Sequence, residues 1–566
     1  MRLFLIFGSM EYYKKPLYKL ALFLILLVLA FVATYAYWIK FSRISTGIDD
    51  ANIYFIYMRN LANGDGFVYN PGGEHVEGFT SFLWVLIGSV FFLFTSKPET
   101  SLICLNVVFM ALSIWRVCLL ADTYFKDKRL ISPYTIIICG FILLIPGYVC
   151  WMTFTIMETG LWSLLLVFIF CGIVERTVRN KRGFGNLVYL LPLLVLTRPE
   201  SYLWAFVGIG LHFLLNSIYH KKEIRQTVLG TTILAGIVIG TIGILTALRL
   251  WYFGYPFPNT YYAKVSADTY ANLKEGIIYM QKFFYLYTPH LNLPVVATII
   301  SIIAVILKKK RSVALFVFPV VIGICYAIPL YTGGDHFALF RFIQPFIPLM
   351  VLFYVLSFFT LLPLKNAFWY VPAFGSLVLI FYSCRLNYYN FDKKTNLLVE
   401  FHIAIAERDF SNQLNEFFQY QKPYPTYGVM VAGASAYVYK GYSIDLLGLN
   451  NVEMGHSTPI KTGFKNHGSF NKDVFLKQRP DLFFYTRVYN DTSEFNMKEQ
   501  MDFKEAQWNR DMFKDIFKDD NFKKIYFPVF IFSNKDSGVV QTHTTQDFLN
   551  RLDTNVYRYY KIPIPY

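Results

Sequence analysis

The sequence predicts an all-helical, multi-span membrane bundle followed by an α/β or α+β domain outside the bilayer. Three observations predict this fold class. Of the 566 residues, 55% are hydrophobic and only 16% are charged, whereas soluble proteins carry about a quarter of charged residues. Apolar runs recur up to residue 386 and then stop. Basic clusters lie between these runs, where they set membrane topology, so the net charge of +16 does not indicate a nucleic-acid partner.

Twelve apolar runs precede the polar C-terminal part, and a helix needs about 20 apolar residues to cross a bilayer. The first run is too long for the core of a signal peptide, so we expect it to be the first span, with a cytoplasmic N-terminus. The runs cover residues 17–39, 79–95, 101–121, 132–152, 159–177, 184–198, 200–218, 228–250, 291–307, 312–331, 343–361 and 367–386.

Basic clusters between the runs test which of them cross. If every run crossed, the cluster at 126–129 would lie outside, against the rule that basic loops stay in the cytoplasm. If 79–95 instead lies along the outer interface, every later cluster falls inside. We therefore predict eleven spans and an interfacial helix at 79–95, in a bacterial inner (plasma) membrane. A broken or re-entrant helix elsewhere would restore the count equally well.

This topology divides the chain into a membrane module, residues 1–386, and an extracytoplasmic soluble domain, residues 387–566, with its C-terminus outside the cell. The module has outer loops at 40–100 and 251–290. The second part is of one domain's size and mixes strand-like runs with helical ones such as 397–417. All seven cysteines lie in or beside apolar runs without a C-x-x-C spacing, which predicts neither a disulfide framework nor a zinc site.

Two adjacent acids, Asp49 and Asp50, open the first outer loop just beyond the first span. At this position one carboxylate can act as a general base while the other positions a hydroxyl group or a cation. Like charge can also raise the pKa of one of them. An Asp ahead of an apolar helix can equally cap free backbone N–H groups, so residue chemistry alone leaves both interpretations open.

Three polar residues, Glu74, His75 and Glu77, follow a Pro-Gly-Gly turn in the same loop. A turn of this composition can bring them back over the acid pair. We expect them to bind hydroxyl groups of a ligand or a divalent cation, with a polar surface turn as the alternative.

Other charged residues stand at the mouths of apolar helices, where charge is costly and usually pairs or lines a cavity. Arg198 either forms a structural ion pair with Glu158 or Glu200, or binds a phosphate group with its planar fork of donors.

A further set lies at the outer ends of later helices. Lys264 either binds phosphate or extends its ammonium group to the membrane interface. Arg341 either neutralises a phosphate leaving group or pairs locally with Asp335. The candidate substrate-binding residues of this set are Asn259, Tyr261, Lys264, Asp335, His336 and Arg341.

The segment from Asp49 to Trp84 resembles the first-loop signature of the GT-C superfamily of integral-membrane glycosyltransferases. Its pattern, D-D-A-x-I-x-x-x-Y-x-R-N-L-A-x-G-x-G-x-V-Y-N-P-G-G-E-x-V-E-G-F-T-S-F-L-W, is most similar to the terminal β-(1→2) arabinofuranosyltransferase group and its bacterial relatives. The resemblance continues at Met157-Glu158-Thr159, Thr197-Arg198-Pro199-Glu200, Pro258 to Lys264, Gly333-Gly334-Asp335 with Arg341, and Asp445 to Asn450.

The resemblance implies a GT-C fold and an inverting hexosyl or pentosyl transfer from a polyprenyl-phosphate sugar. The acceptor would be a glycan, lipid or protein of the cell envelope, and Asp49 or Asp50 would be the base. It leaves metal dependence open, because a monophosphate donor can leave without an obligatory metal ion, whereas clustered acids suit Mg²⁺ or Ca²⁺.

Two other classes of protein remain alternatives. A transporter or flippase for a lipid-linked glycan would show inverted repeats or helices broken near the midplane. A scaffold whose outer domain binds a partner would keep its role when both Asp residues become Asn.

Overall fold

The structure is a computed structural model. It describes residues 16–41, 44–145, 147–179, 183–219, 224–265, 268–287, 303, 315–337, 339–361, 397–458, 461, 467–483, 485–489, 507–535 and 537–562. The helices of the membrane module are α1 (Pro16–Lys40), α2 (Asp49–Asn63), α3 (Phe82–Phe92), α4 (Glu99–Phe125), α5 (Pro133–Leu144), α6 (Tyr148–Phe154), α7 (Thr159–Val178), α8 (Leu187–Val195), α9 (Ser201–Tyr219), α10 (Ile224–Tyr252), α11 (Asn259–Lys264), α12 (Thr269–Tyr287), α13 (Val317–Thr332) and α14 (Ile347–Leu361).

Within the described residues, five helices are long and apolar enough to cross a bilayer, namely α1, α4, α7, α9 and α10. They make the chain a multi-pass membrane protein and confirm five of the predicted apolar runs as span-length helices. Two other runs, 291–307 and 367–386, fall almost entirely outside the described residues. The total of eleven crossings therefore stays a prediction.

Helix α3 occupies most of the run at 79–95 and has 11 residues. At 1.5 Å per residue it is about 16 Å long, too short to cross about 30 Å of hydrocarbon. This length agrees with the predicted interfacial helix. Helices α5 and α6 are bent by 73° at a short break and form a broken span or a re-entrant segment. Helix α8, in the run at 184–198, has only nine residues, about 14 Å, which is also less than a crossing requires.

The C-terminal part is an α/β domain. Its described elements are α15 (Val399–Phe417), β1 (Tyr427–Val429), α16 (Ala434–Val438), β2 (Ser443–Asp445), α17 (Val452–His456), α18 (Lys472–Gln478), β3 (Leu482–Phe483), β4 (Arg487–Tyr489), α19 (Gln507–Phe513), α20 (Asp520–Ile525), β5 (Tyr526–Ser533), β6 (Val539–Thr545), α21 (Gln546–Arg551) and β7 (Tyr557–Lys561). Strands β2-β1-β3 form a parallel sheet and β4-β6-β5-β7 an antiparallel one.

Helix α2 joins the membrane helices to the outer domain. The Arg59 Nη1 atom donates a hydrogen bond to the Tyr437 carbonyl oxygen over 2.8 Å. From the outer domain, Arg408 donates to Asn52 on α2 and to Glu99 at the start of α4, over 2.8 and 2.9 Å. Because Tyr437 and Arg408 of the outer domain hold α2, residues in its first turn have defined positions at the boundary between the two parts.

Candidate active site

Asp49 and Asp50 lie in the first turn of α2. Acidic side chains are favourable at this position, because the N-terminal end of a helix dipole is positive. Consecutive side chains on a helix point about 100° apart. The two acids therefore face different surroundings, although they are neighbours in sequence.

Asp49 faces the outer domain. Its carboxylate accepts hydrogen bonds from the backbone N–H groups of Gly433, at 3.0 Å, and Ala434, at 2.6 Å. The approach requires glycine, because a Cβ atom at residue 433 would lie 1.9 Å from the Asp49 carbonyl oxygen. Burial raises the pKa of Asp49 to about 8, and the two amide donors oppose that rise. The Asp49 carboxyl group, mostly protonated at neutral pH, thus fastens the outer domain to α2.

Asp50 faces two cations. Its Oδ2 atom lies 3.2 Å from Arg341 Nη1 and 3.9 Å from Lys264 Nζ, while Arg341 Nε also contacts Asp335 at 3.2 Å. Burial would raise the pKa of Asp50, but Lys264 and then Arg341 outweigh it and lower the pKa to about 2. Asp50 is therefore ionised at neutral pH.

Asp50 lines a cavity of about 840 Å³ between the outer ends of the helices and the outer domain. This volume is in the range of small-molecule sites. Aromatic and aliphatic side chains such as Phe79, Phe257 and Phe342 form the apolar part of the wall. The predicted site residues on the wall are Asp50, Arg198, Glu200, Tyr261, Lys264, Asp335 and Arg341. The polar wall residues that the sequence analysis did not select include Tyr54, Asp268, Glu275 and Lys461.

Arg198 forms two ion pairs, one with Glu158 and one with Glu200. Its Nη1 atom contacts Glu158, which is completely buried, and its Nη2 atom lies 3.0 Å from Glu200 Oε1. The predicted ion pair is therefore present with both acids, and because Arg198 also lines the cavity, phosphate binding by its guanidinium stays a prediction. Glu158 is buried behind it, and Glu200 lies on the cavity side.

The residues after the Pro-Gly-Gly turn are placed differently from the predicted position over the acid pair. Glu77 forms a buried ion pair with Arg249 of α10 at 2.8 Å, and this partner satisfies its charge. The Glu74 carboxylate accepts a hydrogen bond from the Val452 N–H at 3.1 Å. The His75 ring stacks on Tyr252 with centroids 4.2 Å apart. Each of these three side chains therefore contacts a partner outside the cavity wall, and the contacts hold the first outer loop in place.

Asn259 also connects parts of the chain, since its Nδ2 atom donates to the carbonyl oxygens of Gly448 and Leu449 at 2.7 and 3.0 Å. Tyr261, in contrast, is 46% exposed and lies on the cavity wall.

His336 belongs to a polar cluster beside Asp50. Its Nε2 atom lies 3.9 Å from Glu400 Oε1, and its ring centroid is 5.2 Å from that of His467. Burial, and then His467, lower the pKa of His336 to about 3, so its ring is neutral at physiological pH. The sequence analysis selects neither His467 nor Glu400, because no local spacing links residues so far apart in the chain.

Among the residues that the structure describes, no group of three or more His, Cys, Asp or Glu side chains is arranged to hold a metal ion.

No protein-family model and no curated protein matches this chain. Among solved structures, it is similar to the Archaeoglobus fulgidus oligosaccharyltransferase in the apo form, with 12% identity, 97% of this chain and 76% of that chain covered, and a TM-score of 0.47. It is also similar to ArnT from Cupriavidus metallidurans bound to undecaprenyl phosphate, with 11% identity, 80% and 90% coverage, and a TM-score of 0.45. Likeness at this level establishes no family, so the functional argument rests on the site.

Proposed function

We propose that this protein is an inverting glycosyltransferase of the GT-C type. It would move a hexosyl or pentosyl group from a polyprenyl-phosphate donor to a glycan, lipid or protein acceptor on the extracytoplasmic face of a bacterial plasma membrane. One observation carries the proposal. One cavity at the ends of the membrane helices is lined by Asp50, Lys264 and Arg341. A carboxylate that can act as a base therefore lies next to two cations that can bind a phosphate.

The two cations supply the donor-binding chemistry. An Arg guanidinium and a Lys ammonium bind phosphate oxygens with charge-assisted hydrogen bonds, and they stabilise charge that develops on a leaving phosphate. Arg341 is fixed by Asp335, whereas Lys264 is partly exposed at the cavity wall, with 22% of its side chain accessible. The apolar part of the wall suits the first isoprene units of the carrier.

In the transfer step, Asp50 takes the proton from the acceptor hydroxyl group. The acceptor oxygen forms a bond to the anomeric carbon, and the bond from that carbon to the phosphate oxygen breaks. Its electron pair stays on polyprenyl phosphate, which leaves next to Lys264 and Arg341, and the anomeric configuration inverts. A pKa near 2 would make Asp50 a weak base. When the donor phosphate occupies the same two cations, that depression of the pKa is relieved, so donor binding prepares the base.

Polar wall residues orient the sugar. Glu200 and Asp335 offer acceptor oxygens to sugar hydroxyl groups, and the exposed ring of Tyr261 offers a face for stacking. We assign no cofactor, because Lys264 and Arg341 provide the positive charge that Mg²⁺ or Ca²⁺ supplies in other phosphate sites. A chelator should therefore leave turnover unchanged, and restoration of lost activity by a divalent cation would contradict this part of the proposal.

The test uses the purified full-length chain with a panel of polyprenyl-phosphate sugars, and it measures release of polyprenyl phosphate. We expect Asp50→Asn to reduce turnover by at least about 100-fold, in line with loss of a general base. Asp65→Asn, an exposed acid of the same loop, is the matched control and should behave as wild type. Unchanged turnover in Asp50→Asn would refute the assignment, and movement of the donor across vesicles without transfer would support a transporter instead.

A further inference from the structure

A second cavity lies at the opposite ends of the helices. It has a volume of about 340 Å³ and is bordered by α1, α4, α7, α8 and the segment before α8. Helix α7 begins at Thr159, next to the Glu158 of the candidate active site, and Glu175 of the same helix lines this second cavity. The 16 residues between them rise about 24 Å, which is close to the thickness of the hydrocarbon core. The second cavity therefore belongs to the other membrane interface.

The charged lining of this cavity is strongly basic. Lys19, Arg116, Arg176 and Arg179 face one acidic residue, Glu175, so four cations against one carboxylate give a net charge of +3. The Glu175 carboxylate is already shared, because it lies 2.6 Å from Arg116 Nη2 and 2.8 Å from Arg179 Nη2. Excess positive charge in a partly enclosed site attracts anions.

Because Arg116 is buried, the cavity is an internal charged site and not a cluster of surface residues. Arg116 lies within the span-length helix α4 and is only 8% exposed, so its charge has been taken out of water. A buried charge of this kind needs counter-charge to offset its desolvation. The Glu175 carboxylate opposite it also pairs with Arg179, so among the described residues of the lining positive charge exceeds negative charge.

An apolar wall stands beside the charges. Trp115 and Phe168 line the cavity together with Leu190. The Trp115 Nε1 atom donates to the Lys19 carbonyl oxygen at 3.0 Å, which fixes the indole ring at the depth where tryptophan is enriched in membrane proteins. On α8, next to Leu190, Tyr189 is 72% exposed on the outer surface of the bundle. The cavity thus joins a basic end to an apolar surface that faces lipid.

We propose that this cavity binds an anionic phospholipid of the cytoplasmic leaflet, with its phosphate headgroup among the arginines and its acyl chains along Phe168 and Leu190. Basic pockets between membrane helices on the cytoplasmic side have the chemistry for such headgroups. A zwitterionic lipid fits less well because its own ammonium group opposes the +3 charge. A free phosphate would use the charges but not the apolar wall.

The test measures binding of dioctanoyl phosphatidylglycerol to the purified full-length chain in neutral detergent, by native mass spectrometry and by the shift in Tm. The main variant is Lys19→Gln with Arg179→Gln, two exposed side chains whose loss should leave the fold intact. We expect its apparent Kd to rise at least tenfold. Arg225→Gln, an exposed arginine of α10 near the same interface, is the matched control and should stay within twofold of wild type.

A second variant is expected to change affinity in the other direction. Glu175→Gln removes the competing carboxylate and should tighten lipid binding several-fold, an effect that simple destabilisation would not produce. Equal affinity for dioctanoyl phosphatidylcholine, or an unchanged Kd in the double variant, would overturn the proposal. An equal Tm shift with inorganic phosphate alone would also overturn it and indicate a soluble anion. Asp50→Asn should bind lipid as wild type does, so this result is independent of the proposed transfer reaction.

Discussion

Replacing Lys264 with glutamine tests donor binding separately from the ionisation of Asp50. Lys264 lies 3.9 Å from Asp50 and is partly exposed, so its substitution should leave the fold unchanged. Glutamine keeps an unbranched stem and a polar end, one bond shorter than lysine, but it removes the charge. If the ammonium group binds the donor phosphate, kcat/KM for the donor must fall.

The magnitude follows from the contact that is lost. A hydrogen bond to a charged group contributes about 1.5–3 kcal/mol, which corresponds to a factor of roughly 10–150 in kcat/KM. The base itself stays ionised. Loss of one neighbouring cation raises the pKa of Asp50 from about 2 by about 1–3 units, which is still below neutral pH. The loss of rate at pH 7 therefore reports on the phosphate, while the acid limb of the pH profile moves to higher pH.

The assay is release of polyprenyl phosphate at several donor concentrations from about pH 2 to pH 8, a range that includes the pKa of Asp50 in the wild type. Lys274→Gln on α12, an exposed lysine of the same outer segment, controls for the general loss of one positive charge. A Lys264→Gln enzyme with kcat/KM within twofold of wild type would refute the role of this lysine in binding phosphate. An acid limb that stays in place would refute its electrostatic link to Asp50.

Three further results are expected. Glu77→Gln breaks the buried ion pair with α10 and should lower the free energy of unfolding by about 3–5 kcal/mol, seen as a lower Tm in detergent; an unchanged Tm would contradict it. Gly433→Ala places a Cβ atom against the Asp49 carbonyl oxygen and should expose the junction to limited proteolysis, whereas equal cleavage of wild type and variant would argue against a tight junction. Cysteines introduced at Asp65 and Lys97 should react with an impermeant maleimide from the same side of the membrane, since labelling from opposite sides would mean that α3 crosses.

Span-length helices could be predicted from the sequence because hydrophobic length is a local property. The runs at 17–39 and 228–250 illustrate this, as α1 and α10 closely match them. Shorter elements were less predictable. The run at 184–198 has span-like composition, but helix α8 ends after nine residues, with Pro192 inside it.

Candidate site residues could be predicted from the sequence where they belong to the first-loop motif. Contacts between residues far apart in the chain could not be predicted in this way. Asp50 could be selected from the first-loop pattern. That Glu77 pairs with Arg249 could not, since 172 residues separate the two and only the folded chain brings them together. The different surroundings of Asp49 and Asp50 could not be predicted either, because they depend on the backbone amides of Gly433 and Ala434 in another domain.

Because Asp49 and Asp50 are adjacent in the chain, the contact with the outer domain and the position of Asp50 depend on each other. One peptide bond separates the carboxylate that anchors the outer domain from the carboxylate that faces the cavity. Any movement that lifts Gly433 away from α2 must also loosen the turn that aims Asp50. A membrane module cut free of its outer domain would keep Lys264 and Arg341 but lose the support that positions Asp50, so the proposed transfer reaction would need the outer domain as much as the helices.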